Sequence, residues 1–307
     1  MNVTIPNGWL AFELGVLRRL KFKSIALPFT GEPDLGVYLK RWGITIAAND
    51  EARWAHTKAQ AFIENNTEQL TDLDVEIVLE DAYVPQYKLS NPALRRWFNE
   101  TDAWWFENIK ENMEGLESDT ARALALSLGM MVGDYALSFD EQTRELRQPF
   151  SKVFHRLWKT QSLPFDNKRT NTSSNRQARE FLAEQRADLM FLRLPRPTNR
   201  RENGRDEPSA WREEWLRGND AFWDETPRAH AGRLGAPVES RQQYLYLLEE
   251  LLNVALHLPT WAITHIEDGF IATSDLVECI NRVRKVETIY TKDYSELMGE
   301  RAVIITA

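Results

Sequence analysis

Residues 24–36 read Ser24-Ile25-Ala26-Leu27-Pro28-Phe29-Thr30-Gly31-Glu32-Pro33-Asp34-Leu35-Gly36, and this stretch decides the fold. Its first half is an apolar run typical of a buried strand, and Thr30 to Gly36 forms a turn. Val37-Tyr38-Leu39 continues with helical spacing, and Ile44 to Ala48 is a second apolar run. Strand, glycine loop, helix and strand together predict a βαβ unit with parallel strands and a right-handed crossover.

Glycine loops between a strand and a helix bring backbone N–H groups towards an anionic ligand. Gly31 and Gly36 occupy the outer positions of such a loop, but Pro33 stands at the central one, where it removes a donor and adds a ring. Asp50 follows Gly31 by 19 residues, a spacing that suits a carboxylate binding ribose hydroxyls. Asn49-Asp50 equally suits an N-cap of the next helix, so both interpretations stay open.

From Thr67 to about Thr170 the chain carries long helical patterns, such as Ala93 to Met113 and Thr120 to Phe139. We expect residues 67–170 to form a helical insertion, with residues 1–66 and 171–307 forming one α/β domain. Asn167 to Asn175 contains no apolar residue and predicts a mobile loop.

The second half of the chain supplies the remaining elements. A polar, arginine-rich segment with Pro195, Pro197, Gly204 and Pro208 predicts a long loop over the edge of the sheet. The predicted helices are Gln177–Gln185, Ser240–His257 and one ending at Val283, and the predicted strands are Leu189–Leu192, Thr260–His265, Lys285–Tyr290 and Ala302–Thr306. The last two strands suggest an antiparallel hairpin on an otherwise parallel sheet.

Composition narrows the classes of function. With 38 basic and 46 acidic residues the net charge is −8, which argues against non-specific coating of nucleic acid and leaves room for focused DNA contact only. The single cysteine, Cys279, excludes an internal disulfide, and with no signal-peptide pattern we expect a cytoplasmic protein. We expect no membrane span and, because the histidines lack ligand spacing, no metal site.

Trp97, Trp104 and Trp105 fall in one segment of a chain that has 11 tryptophans. They could stack on an unpaired base. Their spacing also fits an amphipathic helix buried on one side, and we favour that interpretation.

Several motifs together resemble the amino-terminal half of the D12 class of N6-adenine-specific DNA methyltransferases. They are Pro28-Phe29-Thr30-Gly31, Tyr38-Leu39-Lys40-Arg41-Trp42-Gly43, Asn49-Asp50 and Ala61-Phe62-Ile63-Glu64-Asn65-Asn66. The resemblance implies a Rossmann-like S-adenosylmethionine-dependent methyltransferase fold, with a seven-stranded sheet and a helical target-recognition region at residues 67–170. It also implies that S-adenosylmethionine would contact Pro28, Phe29, Gly31, Gly36, Asp50 and Asp188.

The catalytic motif of that family, Asp-Pro-Pro-Tyr, is degenerate in this chain. Arg193 stands at the Asp position, Leu194 and Pro195 at the two prolines, and Arg196 at the tyrosine, so Pro195 alone matches. A guanidinium has no acceptor for the adenine amino group and repels the charge developing there. We therefore expect methyl transfer to be slower by roughly three or more orders of magnitude, and these four positions to be inactive. The Lys-Tyr-Leu-Gly-Ser-Lys-type segment that the family has before the glycine loop is also missing, and together with Pro33 this favours the absence of a cofactor.

These departures also create a basic segment. Its candidate DNA-binding residues are Arg193, Arg196, Arg200, Arg201 and Arg205. A solvated loop neutralised by Glu202, Asp206 and Glu207 is the alternative.

Three functional hypotheses remain. The first is a catalytically degenerate methylase-like protein that serves as a DNA-binding or assembly subunit of a modification or defence system. The second is an active but divergent S-adenosylmethionine-dependent DNA adenine N6-methyltransferase that uses another carboxylate, such as Asp188 or Glu202. The third is a protein-interaction module that does not bind DNA.

Overall fold

A computed structural model of the chain describes residues 8–140, 142–196, 205, 207–267, 269–294 and 301–307. It is built around a single mixed sheet of seven strands. The strands are β1 (Ser24–Leu27), β2 (Thr45–Asn49), β3 (Thr172–Ser174), β4 (Leu189–Arg193), β5 (Thr260–Glu267), β6 (Thr288–Asp293) and β7 (Arg301–Thr306). Their order across the sheet is β3-β2-β1-β4-β5-β7-β6.

Strands β1 to β5 run parallel, and β7 lies antiparallel between β5 and β6. The structure thus confirms the α/β class, the parallel βαβ unit and the terminal antiparallel pair. Strand β3 corrects the prediction of a mobile loop at residues 167–175. Asn171, just before it, is buried and its side-chain oxygen accepts from the Ile46 N–H, which fixes the polar edge strand beside β2.

Twelve α-helices surround the sheet in the described part of the chain. They are α1 (Trp9–Leu17), α2 (Asp34–Arg41), α3 (Arg53–Ala59), α4 (Asp72–Leu79), α5 (Glu100–Met113), α6 (Asp119–Leu137), α7 (Phe150–Thr160), α8 (Ala178–Glu184), α9 (Ala210–Arg217), α10 (Phe222–Ala229), α11 (Arg241–Val254) and α12 (Thr273–Val283). A π-helical turn, Gln60–Glu64, extends α3, and two 3₁₀ turns are Pro92–Arg96 and Arg144–Leu146. No helix within these ranges has the length and apolar character that crossing a bilayer requires.

Both faces of the sheet are covered, as its parallel strands require. Successive residues of β4 alternate between the two faces: Met190 and Leu192 join a cluster with α8, α11 and α12, whereas Leu189 and Phe191 join one with α1 and α2. All four side chains are at most 1 % exposed. This two-period alternation explains the continuous apolar run that predicts the strand.

A third hydrophobic cluster holds the helical part together and includes side chains from α4, α5, α6 and α7. It also includes Trp211 and Trp215 of α9, which follows β4 in the chain. The sequence patterns predict no helix between Pro208 and Ser240. The structure has two helices there, α9 and α10. The long loop predicted before them lies mainly outside the described residues.

The tryptophans of the helical part are packing residues. Trp105 is fully buried and donates to the Ser151 hydroxyl, and Trp104 is 7 % exposed. Trp97 donates to the Glu214 carboxylate at 2.6 Å. Packing in the helical cluster, rather than stacking on a base, accounts for these three side chains.

The contact of α9 with α6 depends on two glycines. A Cβ added at Gly133 would lie 2.1 Å from Cη2 of Trp211, and one at Gly129 would lie 2.4 Å from Cη2 of Trp215. Both indoles are almost fully buried and have no room to move away. The glycines therefore set the close approach of these two helices.

We predict that Gly133→Ala destabilises the protein by about 1–3 kcal/mol, because the methyl group overpacks against Trp211. Gly15→Ala is the matched control, since Gly15 is an exposed residue of α1 with nothing within 4 Å of the added Cβ. It should stabilise by about 0.5–1 kcal/mol through helix propensity. Urea denaturation of both variants measures the difference, and equal shifts of the midpoint would contradict the packing argument.

Candidate functional site

The strand order reverses direction between β1 and β4, since β2 continues from β1 on one side and β5 from β4 on the other. In open α/β sheets ligands bind at such a switch point, at the carboxyl ends of the strands. The loop that follows β1 and the residues that follow β4 meet there. This crevice is the candidate site, and it contains the glycine loop and residues 193–196, the expected counterpart of the catalytic motif.

The glycine loop is fixed to the end of β2. The Thr30 backbone N–H donates to the Asn49 carbonyl at 3.0 Å, and the Thr30 hydroxyl donates to the same oxygen. The Asn49 amide donates to the Pro28 carbonyl at 3.1 Å. Gly31 has φ +56°, a left-handed conformation that favours glycine, and its N–H donates to Asp50 at 2.9 Å. The loop N–H at Gly31 is thus engaged within the protein.

Asp50 binds the backbone on both sides. One carboxylate oxygen accepts from Gly31 and the other from the Ala52 N–H, each at 2.9 Å. The N-cap residue of α3 is Ala52, so the prediction that Asn49-Asp50 is the N-cap is wrong. The Asp50 carboxylate instead accepts from the Ala52 N–H just before the helix. Burial raises the pKa of Asp50 to about 6, against the lowering effect of the two backbone hydrogen bonds.

Gly36 and Phe29 have packing roles in this crevice. A Cβ at Gly36 would lie 2.3 Å from Cδ1 of Ile63, so the glycine permits α2 to approach the π-helical turn. The Phe29 ring packs against the cluster beneath α11 and α12. Pro33 is the N-cap residue of α2 and carries no N–H there.

Arg193, the last residue of β4, forms a buried ion pair that sequence reasoning missed. Its Nε donates to one oxygen of Glu13 at 2.9 Å, and a terminal nitrogen donates to the other at 2.7 Å. The remaining terminal nitrogen donates to the Thr30 carbonyl at 3.3 Å. Glu13 is completely buried, and it also accepts from the Trp9 indole at 2.9 Å. These contacts fix helix α1 to the end of β4 and, through Arg193, to the glycine loop.

A signal for Glu13 is present in the sequence. It is the single charged residue of α1, which reads Trp9-Leu-Ala-Phe-Glu13-Leu-Gly-Val-Leu17. Trp9 precedes it by one helical turn, the spacing at which side chains on a helix meet. A lone carboxylate in an apolar helix requires a cationic or hydrogen-bonding partner elsewhere in the fold.

The three residues after Arg193 continue along the crevice. The Leu194 N–H donates to the Thr264 carbonyl of β5, which prolongs the sheet pairing by one residue. The Pro195 carbonyl accepts from the Tyr244 hydroxyl at 2.7 Å. Arg196 is exposed.

The open space between these groups is small. The crevice is lined by Phe29, Thr30, Glu32, Gly36 and Arg193, with apolar residues below, and it leaves essentially no room for a water molecule. Pockets for drug-sized ligands and cofactors measure about 300–1,000 Å³.

Asp188 does not join the other residues expected to bind a cofactor. It immediately precedes β4, and its carboxylate accepts from the backbone N–H groups of Lys23 and Ser24 at 2.8 and 3.0 Å. Those residues begin β1, whereas the glycine loop follows its end. Asp188 therefore lies at the amino edge of the sheet, opposite the crevice, where the Lys23 N–H and the Ser24 contacts hold its pKa below the ordinary value against the effect of burial.

The arginines expected to bind DNA are placed differently from one another. Arg193 is bound to Glu13, and Arg205 is paired with Asp220. Arg196 is exposed, and Arg200 and Arg201, with Glu202, lie outside the described residues.

A charged network ties the glycine loop to the helical part. Glu32 of the loop binds Lys58 at 2.8 Å and Arg212 of α9 at 2.6 Å, and Arg212 also binds Asp134 of α6. Burial opposes ionisation of Glu32, but the two cations hold its pKa below the ordinary value. The Arg212 guanidinium lies 4.9 Å from the ring centre of Trp54, a cation–π contact.

Comparison of the chain with known protein families and with curated proteins gives no match. Among the described residues, no group of three or more histidine, cysteine or acidic side chains has the arrangement of a metal site.

We predict that Glu13→Gln destabilises the protein by about 3 kcal/mol, because it leaves the Arg193 charge without its buried partner. The control is Glu100→Gln, which breaks an exposed pair with Arg95 and should cost less than about 1 kcal/mol. Urea denaturation measures both. The double variant Glu13→Leu/Arg193→Leu should recover part of the loss, and a double variant no more stable than Glu13→Gln would contradict the account.

The raised pKa of Asp50 makes the stability of the folded protein depend on pH. Because its pKa is raised in the folded state, the stability that it contributes is full below about pH 3.8 and is lost as the pH rises through about 6. Asp50→Asn removes that titration but leaves one backbone N–H without an acceptor. We expect the stability of Asp50→Asn relative to the native chain to rise by about 1–2 kcal/mol between pH 4 and pH 7. A difference that stays constant over this range would contradict the pKa shift.

Proposed function

We propose that this protein is a catalytically degenerate methyltransferase-like subunit that assembles with other components of a DNA modification or defence system. The main observation behind this proposal is the ion pair of Arg193 with the buried Glu13. Arg193 occupies the position where the resemblance puts a catalytic carboxylate. The strand order and the antiparallel β6–β7 pair support the expected methyltransferase-like sheet.

The ion pair argues against methyl transfer for a chemical reason. An adenine amino group needs an acceptor that holds it and orients its nitrogen lone pair. The Glu13 carboxylate accepts two hydrogen bonds from Arg193 and one from Trp9, and none of its surface is exposed. Neither member of the pair therefore offers an acceptor to a base entering the crevice.

The crevice also fits S-adenosylmethionine poorly. It leaves essentially no room for a water molecule, far less than ligand pockets offer, and Asp50 already binds two backbone N–H groups. Pro33 supplies no N–H at the start of α2. These features support a protein that works without this cofactor.

Ion pairs within the protein neutralise several arginines near the crevice, which favours a role in assembly over DNA binding. Arg193, Arg205 and Arg212 are bound to carboxylates, and the chain has a net charge of −8. A protein that holds DNA needs cations free to contact phosphates. Exposed Arg196 is the basic residue of the crevice best placed for such a contact.

Three measurements on the full chain test the proposal. Incubation with an adenine-containing duplex and labelled S-adenosylmethionine should give no methylation, and calorimetry with millimolar S-adenosylmethionine should give no heat. A labelled duplex should show little shift at low ionic strength. An active N6-adenine methylase serves as the positive control.

The outcomes separate the hypotheses. Methylation that is abolished in Asp50→Ala would overturn the degenerate assignment. A salt-dependent duplex shift that weakens in Arg196→Ala would replace the assembly role by a DNA-holding role.

A further inference from the structure

A second and larger cavity lies on the other side of α2 from the crevice. Its free volume is about 80 Å³, and it lies between α2, the π-helical turn, α6, α7 and the segment after α7. Gly36 of α2 lines the crevice, whereas Val37 and Lys40 of the same helix line this cavity. Its walls include Lys40, Phe62, Leu124, Trp158, Gln161 and Phe165.

Lys40 is an unusual wall residue because it is only 1 % exposed. Its ammonium group donates to the backbone carbonyl of Asn65. Within the described ranges no carboxylate lies at salt-bridge distance from it. The Asp166 carboxylate, whose charge acts on Lys40, pairs with Lys168. An ammonium has three donors, so the charge is buried without an anionic partner and with donors to spare.

Burial lowers the pKa of Lys40 to about 8, and Asp166 opposes that effect only partly. Loss of hydration therefore destabilises the charged form. An anion that entered the cavity would restore part of the stabilisation that the Lys40 ammonium loses with its hydration.

Gln161 adds a second donor to the same cavity. It is the C-cap residue of α7, and its side-chain nitrogen is buried with no hydrogen-bond partner among the described residues. Buried donors of this kind are rare in native proteins and call for an explanation. An acceptor group of a ligand would satisfy both Gln161 and Lys40.

Part of the remaining wall is apolar, and the rest is polar: Arg41, Asn65, Glu68, Gln69 and Ser162. The Glu68 carboxylate already accepts from the Ser118 hydroxyl. Ile63 packs against Gly36 in the cluster beneath α2, whereas its neighbour Phe62 packs with the helical cluster and lines the cavity. Leu124 and Trp158 complete the apolar surface. At the mouth, Leu163 is 73 % exposed and Phe165 is 44 % exposed.

We propose that this cavity binds a small amphipathic carboxylate. The carboxylate group accepts from Lys40 and Gln161, and the apolar body lies against Phe62, Leu124 and Trp158. The site is separate from the crevice of Arg193 and does not depend on the function proposed above.

Calorimetry of the full chain with octanoate and with 1-octanol tests this inference. Octanoate should bind with a dissociation constant below 1 mM, and 1-octanol, which lacks the charge, at least tenfold more weakly. Lys40→Met keeps the length and apolar stem of the side chain, and should weaken octanoate binding at least tenfold. Lys152→Met is the matched control on α7, since Lys152 is exposed and does not line the cavity.

Two further variants keep the result interpretable. Gln161→Leu should weaken octanoate binding by a smaller factor, and Leu124→Trp should abolish binding of both ligands by filling the cavity. Circular dichroism and the urea midpoint establish that each variant is folded. The inference is overturned if octanoate does not bind the native chain at millimolar concentration, if 1-octanol binds equally well, or if Lys40→Met and Lys152→Met behave alike.

Discussion

The buried carboxylate of Glu13, on the apolar helix α1, constrains how the helices and loops of this chain pack around its sheet. Glu13 has no contact with water, and an isolated charge in such a place would cost several kcal/mol. Arg193 at the end of β4 and the indole of Trp9 satisfy it, and the same guanidinium reaches the Thr30 carbonyl. One interaction therefore joins the first helix, the central strand and the glycine loop. It does so at the edge where parallel sheets ordinarily receive a ligand.

The parts of the fold that local periodicity encodes were predictable. The βαβ unit and strands β4, β5 and β7 carry apolar runs of the right length. Strand β6 is mostly exposed and begins at Thr288 rather than at the predicted Lys285. Strand β3 was not, because Thr172-Ser-Ser174 is polar and is held by pairing with β2 and by Asn171. Helix α9 does carry a local signal, two tryptophans four residues apart at Trp211 and Trp215, but the surrounding arginines and prolines obscure it.

The candidate site was predictable only in part. Its loop and strand ends follow from the order of the elements, and the substitution of Arg193 is visible in the sequence. The partner of Arg193 stands 180 residues away, a separation at which residue spacing carries no information. Strand direction, by contrast, was available: Asp188 precedes a parallel strand and so lies at the amino edge, away from the glycine loop. Asp50 binds the Gly31 and Ala52 N–H groups but does not cap α3, whose N-cap residue is Ala52.

The position of α9 has a consequence for the evolution and engineering of this chain. Its two tryptophans fill a cluster whose other helices come before β3, so the cluster is assembled from both sides of the central strand. Cutting out residues 67–170 would leave two large indoles facing solvent, and transplanting those residues alone would leave a hole where the indoles belong. The helical part therefore cannot be exchanged as a unit, and any recombination that moves it has to include α9.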